Sequence, residues 1–290
     1  MTSLQFEAPE TVEDAVRLLA NADGEAMPLA GGTDLLVQLR TDFVRPGLVV
    51  DLKRIPALMD VSVKGDEIRV GAAVSGATLG KNEAVKAAWP GVVEALELIG
   101  STQIQGRASL GGNLCNGSPA ADSVPALIAA GAVCEIAGPD GARSVPVEDV
   151  ITGPGQLSLG SGEIVVSFVM PKPPPRTGDA YLRFIPRTEM DIAVVGTGVA
   201  LTLDDAGVCT HARFGLGAVA PTPLLVEDGA KALIGTTVDG DALAKLAAAA
   251  SAACNPIDDK RGTIEYRVKV AGVLARRAAL IALERARSNG

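Results

Sequence analysis

Four prolines fall within the five residues Pro171-Lys-Pro-Pro-Pro175. Proline donates no backbone hydrogen bond and fixes φ, so such a run fits neither a helix interior nor a central strand. The chain has 290 residues, and domains commonly run to about 100–200 residues. Together these features place a domain break at the prolines, giving one domain over 1–175 and a second over 176–290. The first domain divides again near residue 55, where strand–helix alternation gives way to hairpins.

The first fifty residues read as a β-α-β unit. Thr11 and Asp14 resemble a capping box, and Val12, Ala15, Val16 and Leu19 share one helical face. Met27–Ala30 is a short apolar strand, Leu35–Arg40 a helix and Leu48–Leu52 a second strand, a spacing that favours parallel pairing. Beyond Pro56, Val61–Val63 and Ile68–Val70 flank a hairpin turn at Lys64-Gly-Asp-Glu67. Helices are expected at Gly91–Gly100 and Ser123–Ala130. Strands are expected at Val133–Ile136 and after Arg143, and Glu163–Met170 is apolar enough to be central. Past the prolines come strands at Ala180–Ile185, Val194–Leu203 and Val208–Val219. Helices follow at Val226–Ile234, Gly240–Ala253 and Glu265–Ala286. The fold class is α+β, with the second domain a small antiparallel sheet backed by helices.

Composition removes several functions. The net charge is −8, from 26 basic and 34 acidic residues, with no basic run, which argues against nucleic-acid binding. No stretch approaches the roughly 20 apolar residues of a membrane span, and the residues from Met1 onward lack the pattern of a signal peptide. A cytoplasmic protein is expected. One histidine, His211, and four separated cysteines, Cys115, Cys134, Cys209 and Cys254, give no metal-ligand spacing and no redox pair. No catalytic side chain and no metal ligand is assigned to this chain.

Two glycine loops carry the chemistry. Leu29-Ala-Gly-Gly-Thr-Asp-Leu35 follows a strand and opens a helix. Gly31 and Gly32 leave no side chain between backbone and ligand, and Thr33 suits the helix cap, so the turn offers amides to an anion such as a pyrophosphate. It is not GxGxxG, so a Rossmann nicotinamide site is not indicated. An ordinary strand-to-helix turn is the competing reading. The second loop, Ala108 to Asp122, combines Gly111, Gly112 and Gly117 with Ser109, Asn113, Asn116, Ser118 and Asp122. Such a loop suits ribityl, ribose and phosphate oxygens. Asp122 either accepts from a ligand hydroxyl or caps the helix at Ser123.

Ala30-Gly-Gly-Thr-Asp-Leu35, Ser109-Leu-Gly-Gly-Asn113 and Ser118-Pro-Ala-Ala-Asp122 resemble the FAD-binding signatures of the molybdenum hydroxylase flavoprotein subunits. That family includes carbon monoxide dehydrogenase medium subunits and the flavin subunits of xanthine dehydrogenase-type enzymes. The resemblance continues through Gly153-Pro-Gly155 and Gly162-Glu-Ile-Val165, Arg187-Thr-Glu-Met-Asp-Ile-Ala193 and Arg261-Gly-Thr-Ile-Glu-Tyr-Arg267, and so covers almost the whole chain. It implies a vanillyl-alcohol-oxidase-type FAD-binding domain of two subdomains, followed by a domain like the C-terminal one of the carbon monoxide dehydrogenase flavoprotein. By the same resemblance Ala30, Gly31, Gly32, Thr33, Asp34 and Leu35 form the first FAD loop. Ser109, Gly111, Gly112, Asn113 and Asp122 form the second, and Ile99 and Ile192 lie near the flavin ring.

The resemblance implies an electron relay. Substrate is hydroxylated at a molybdopterin centre on a large partner subunit, and electrons cross [2Fe–2S] clusters on a small one. They reach FAD on this chain and leave to NAD⁺, a quinone, oxygen or a carrier. A dimer of heterotrimers is the implied assembly, with FAD held non-covalently and Cys115 the one residue that keeps covalent attachment open. Carbon monoxide dehydrogenases carry tyrosine where this chain has Ile192, and differ in the first loop. The departure leans toward a heterocycle, aromatic or aldehyde substrate, with a carbon monoxide dehydrogenase medium subunit as an alternative. A free-standing FAD oxidase or reductase and a non-catalytic scaffold are the other readings. For Arg187 and Asp191, tuning the flavin or a partner contact competes with an exterior salt bridge.

Overall fold

The structure is a computed structural model that describes residues 4–290. The first three residues of the stretch inspected for a signal peptide lie outside that range. The chain opens with β1 (Gln5–Glu7), α1 (Val12–Ala20), β2 (Ala26–Leu29), α2 (Leu35–Arg40) and β3 (Leu48–Asp51). β3 pairs in parallel with β1 on one edge and β2 on the other. Thr11 caps α1: its Oγ1 accepts from the Asp14 amide at 3.1 Å and donates to Asp14 Oδ2 at 2.9 Å. Ala15, Val16 and Leu19 then pack against Leu48 and Val50.

The next segment carries α3 (Pro56–Met59), β4 (Val61–Lys64), β5 (Glu67–Gly71), α4 (Gly76–Leu79), α5 (Glu83–Ala88), α6 (Pro90–Glu97), α7 (Thr102–Gln105), α8 (Leu110–Cys115) and α9 (Ser123–Ala129). It closes with β6 (Val133–Gly138), β7 (Gly141–Pro146), β8 (Ile151–Gly153), β9 (Gln156–Leu157) and β10 (Ile164–Pro171). A five-stranded sheet runs in the order β4-β5-β10-β6-β7, so the apolar β10 is central. The small β8–β9 hairpin leaves no hydrophobic pattern in the sequence.

After the prolines come β11 (Thr177–Phe184), β12 (Val195–Leu203), β13 (Cys209–Gly217), β14 (Leu224–Leu225), α10 (Glu227–Leu233), α11 (Gly240–Ala253) and α12 (Ile264–Ser288). The four strands form one antiparallel sheet in chain order. Side chains alternate across a strand, and β12 uses both faces. Val195, Val199, Leu201 and Leu203 enter the core beneath α12, while Ala200 enters the core of the preceding domain. Close approach on that second face depends on Gly198: a Cβ there would lie 2.2 Å from the Pro125 carbonyl oxygen of α9. Tyr181 of β11 also joins the first domain's core, so α9 and α12 clasp the sheet from opposite sides.

Candidate cofactor site

A cleft of about 530 Å³ runs between the two glycine segments, within the range expected for a ligand pocket of roughly 300–1,000 Å³. Ala30, Gly31, Gly32, Thr33, Asp34 and Leu35 line one wall, and Ser109, Gly111, Gly112 and Asn113 line the facing one. Ile99 lines it too, whereas Asp122 and Ile192 do not.

The two walls meet at Gly31, where a Cβ would sit 1.8 Å from the Arg107 carbonyl oxygen. Only glycine permits that approach. Gly32 has φ +79° and turns the chain into α2. Asp34 is already in the right-handed region, so it occupies the cap position of α2 and makes no capping bond. Thr33 is therefore not the cap expected from the sequence: the cap position falls on Asp34, whose right-handed backbone differs from the extended one that side-chain capping uses. Among the described residues, no protein acceptor takes the amides of Gly32, Thr33, Asp34 or Leu35. Such donors are what a pyrophosphate needs.

The second segment is more regular than the sequence suggests. Ser109 is extended and its Oγ accepts from the Gly112 amide at 3.1 Å, so Leu110–Cys115 is helical rather than a glycine-loosened loop. Gly111 serves close packing, since its amide donates to the Ala72 carbonyl at 2.9 Å and a Cβ would meet that same oxygen at 2.5 Å. Of the three glycines, Gly117 alone takes a positive φ, at +66°. Its carbonyl accepts from the Gly155 amide at 2.9 Å, so the Gly153-Pro-Gly155 turn braces the end of the segment.

Asn113 Oδ1 accepts from the Ser123 amide at 3.0 Å and from Ser123 Oγ at 2.7 Å. Asn113 thus caps α9, and Asp122 does not: it is in the right-handed region and makes no capping bond. The buried Asp122 carboxylate instead accepts from Tyr181 Oη at 3.0 Å and pairs with Arg183 Nη1 at 2.9 Å. Burial raises its pKa to about 6, against the pull of Arg183 and Tyr181.

Sequence reasoning missed several supporting residues. Lys53 Nζ donates to the Ala30 carbonyl at 2.7 Å and pairs with Asp51 at 2.6 Å, fixing the first turn from behind. Gln38 Nε2 donates to Asn116 Oδ1 at 3.2 Å, and Asn116 Nδ2 donates to Asp34 Oδ1 at 3.4 Å, bridging the two walls. No motif marks Lys53 or Gln38, and Asn116, although part of the second glycine loop, reaches partners 78 and 82 positions away that its own loop does not announce. Glu163 lines the far end of the cleft, where Arg143 holds it by two bonds of 2.7 Å and keeps its carboxyl below the ordinary value. The lining contains Glu25, Asp34 and Glu163 but no lysine or arginine. Backbone amides therefore carry the recognition of an anion.

Cys115 also lines the cleft. Burial pushes its thiol up to about 12, so it stays protonated and a poor nucleophile. His211 lies exposed on β13, outside the lining. Arg187 and Asp191 form a pair at 3.3 Å, but Asp191 also takes Arg261 at 2.8 Å, so the contact belongs to a larger network. Among the described residues no group of His, Cys, Asp and Glu could hold a metal ion, and no helix is long and apolar enough to cross a membrane.

Comparison with known proteins agrees with this geometry. Residues 2–173 match the FAD binding domain in molybdopterin dehydrogenase, and residues 180–282 match the CO dehydrogenase flavoprotein C-terminal domain. The carbon monoxide dehydrogenase medium chain of Afipia carboxidovorans is 36% identical over 286 residues, covering 99% of both chains. The 6-hydroxypseudooxynicotine dehydrogenase complex subunit alpha of Paenarthrobacter nicotinovorans is 30% identical over 98% of this chain and 96% of its own. A chain in the structure of reconstituted CO dehydrogenase from Oligotropha carboxidovorans superposes with a TM-score of 0.93 at 36% identity, covering 98% of each chain. Two glycine-built walls, a matching fold and matches along almost the whole sequence lead to one statement: the chain belongs to the FAD-binding flavoprotein subunits of the molybdenum hydroxylases.

Proposed function

We propose that this chain holds FAD non-covalently in the cleft and relays electrons from [2Fe–2S] clusters of a small partner subunit to an external acceptor. The substrate is hydroxylated at a molybdopterin centre on a large partner. The observation that carries the reading is the Gly31–Leu35 turn: it offers amides without protein acceptors, closed against Ser109–Asn113. When bound, the flavin supplies the redox chemistry, and the protein supplies position, polarity and access.

The chain's own residues have distinct tasks in this reading. Gly32, Thr33, Asp34 and Leu35 give amides to the pyrophosphate, and Gly31 lets that turn close on the facing wall at Arg107. Lys53 fixes the first wall from behind, and Asn116 keeps it in register with the second. Ser109 and Asn113 spend their side-chain oxygens on holding α8 and α9, so they shape the wall. Asp122 supports that wall through Tyr181 and Arg183. Ile99, which lines the cleft, and Ile192, which lies outside the lining, are assigned to the ring end by the family resemblance; the Met190 amide, which donates to the Gly100 carbonyl at 3.2 Å, ties the 185–193 loop next to Ile99 and supports that assignment. The division at 1–175 and 176–290 is part of the proposal, supported by family matches that end at 173 and resume at 180.

Assembly as a dimer of heterotrimers in the cytoplasm completes the reading. The substrate pocket lies on another chain, and relatives named for carbon monoxide, xanthine and a nicotine derivative share this frame. Ile192 leans the assignment toward a heterocycle, aromatic or aldehyde, with carbon monoxide the alternative. Titration of the purified full chain with FAD tests the cofactor role. One FAD per chain, released by acid precipitation, is expected. A chain that binds no flavin, or one whose flavin stays with the acid pellet, contradicts it.

A further inference from the structure

Behind the 185–193 loop, a row of charges runs from the C-terminal core to Asp191 on that loop. It begins at Arg267, in the first turn of α12, which is 3% exposed. Its Nη1 donates to the carbonyls of Val194 at 2.8 Å and Ala218 at 3.1 Å, and its Nη2 donates to Asp259 Oδ1 at 2.7 Å. The same Asp259 oxygen accepts from the amides of Arg261 at 2.8 Å and Gly262 at 3.2 Å, closing a turn that carries the Arg261 side chain. Arg261 Nε donates to Asp191 Oδ1 at 2.8 Å, and that oxygen also accepts from the Ile192 amide at 2.8 Å. The row ends at Asp191, three residues before Val194, where Arg267 is anchored, so the segment around Ile192 is held at one end by Arg261 and at the other by Arg267.

Burying Arg267 is costly, and its Nε has no partner. Hydrophobic packing would stabilise the sheet at least as well, so the charge row needs another explanation. What it holds is informative. The segment between Phe184 and Val195 has no helix or strand of its own, and it presents Met190 at 54% and Ile192 at 51% exposure. Its tie to Gly100 places it beside Ile99, which lines the cleft. An unsupported loop of this kind would open readily.

We propose that Arg261, braced by Asp259 and Arg267, is a positioning residue that grips Asp191 and so fixes Ile192 as a cover at the Ile99 end of the cofactor cleft. The inference rests on the FAD reading only for the identity of what Ile192 covers. The full chain is compared with Arg261→Gln and Arg261→Lys, with and without FAD. The first readout is native-state tryptic cleavage after Arg187, which is exposed on the held loop. Loss of one charge-assisted hydrogen bond is expected to speed that cleavage about tenfold in Arg261→Gln. Iodide quenching of the bound flavin's fluorescence is expected to rise while FAD content stays at the wild-type level. Arg261→Lys, which keeps a cation facing Asp191, is expected to recover most of the protection. Wild-type cleavage after Arg187 in Arg261→Gln overturns the proposal, and so does unchanged quenching. Should Arg261→Gln lower the unfolding midpoint, Asp191→Asn repeats the reading from the other partner. If the wild-type chain takes up no FAD, the flavin reading fails, and cleavage after Arg187 alone decides the clamp.

Discussion

Gly31→Ala is the sharpest single perturbation of the cleft. The added Cβ would lie 1.8 Å from the Arg107 carbonyl oxygen and 2.5 Å from its carbon, both backbone atoms. No rotamer change relieves such a contact, so the first turn and the 107–109 segment must part by more than about 1 Å in a close-packed interior. Overpacking of this kind costs about 1–3 kcal/mol of stability. The larger effect falls on the cofactor, because the amides of Gly32 to Leu35 and the facing wall would no longer meet one ligand. Losing one charge-assisted hydrogen bond, worth about 1.5–3 kcal/mol, weakens FAD binding by roughly ten- to a hundredfold. The assay is a fluorescence titration of apo-protein with FAD, paired with thermal unfolding of the apo-form. Gly240→Ala is the control: the site is open, with nothing within 4 Å of the added Cβ, and begins α11. It should leave the FAD affinity unchanged. Wild-type affinity in Gly31→Ala would refute the claim that the two walls form one binding site.

Three further outcomes follow from named contacts. Lys53→Met removes the bond to the Ala30 carbonyl and leaves Asp51 without its cation; FAD affinity should fall about tenfold by titration, with little change in fold by circular dichroism. Asp122→Ala strands Arg183, whose side chain is 5% exposed, and should cost about 3–5 kcal/mol in denaturant unfolding, whereas Asp122→Asn, which still accepts from Tyr181, should cost less. Asp179 is buried with Oδ1 unpartnered, and burial raises its pKa to about 8. A carboxyl whose folded pKa is raised contributes stability that is fully present below its unfolded value and is lost as pH rises through about 8. Unfolding followed from pH 5 to about 9 should show that loss in the wild type and a shallower profile in Asp179→Asn; parallel profiles would refute the assignment.

Much of the fold was legible because local patterns and tertiary packing agree. The apolar run at Glu163–Met170 has no polar face to spare, and β10 is the central strand of its sheet. The Thr11–Asp14 pair marked the start of α1. The 14 residues of α11 match the expected helix at both ends, since Asp239 caps it and its buried face repeats at Ala242, Leu243, Leu246 and Ala250. The second glycine segment misled because glycine allows loops without requiring them. Here Ser109 supplies a cap and Ala72 supplies contact, and together they hold a helix where composition suggested freedom. The cleft's lining was legible along both glycine stretches. Lys53 was not, and neither were the bridge that Asn116 makes to Asp34 nor the joining of Arg267, Asp259, Arg261 and Asp191 in one row, because each depends on a partner supplied by another part of the fold.

The claim that this chain is the flavin relay of a molybdenum hydroxylase is tested most directly by tagging it in its native source and purifying it with whatever it binds. The account predicts about one releasable FAD per copy of this chain, together with a larger polypeptide carrying molybdenum and a smaller one carrying iron and sulfide. A chain recovered without flavin, or one that carries flavin but brings down neither metal-bearing partner, would contradict it.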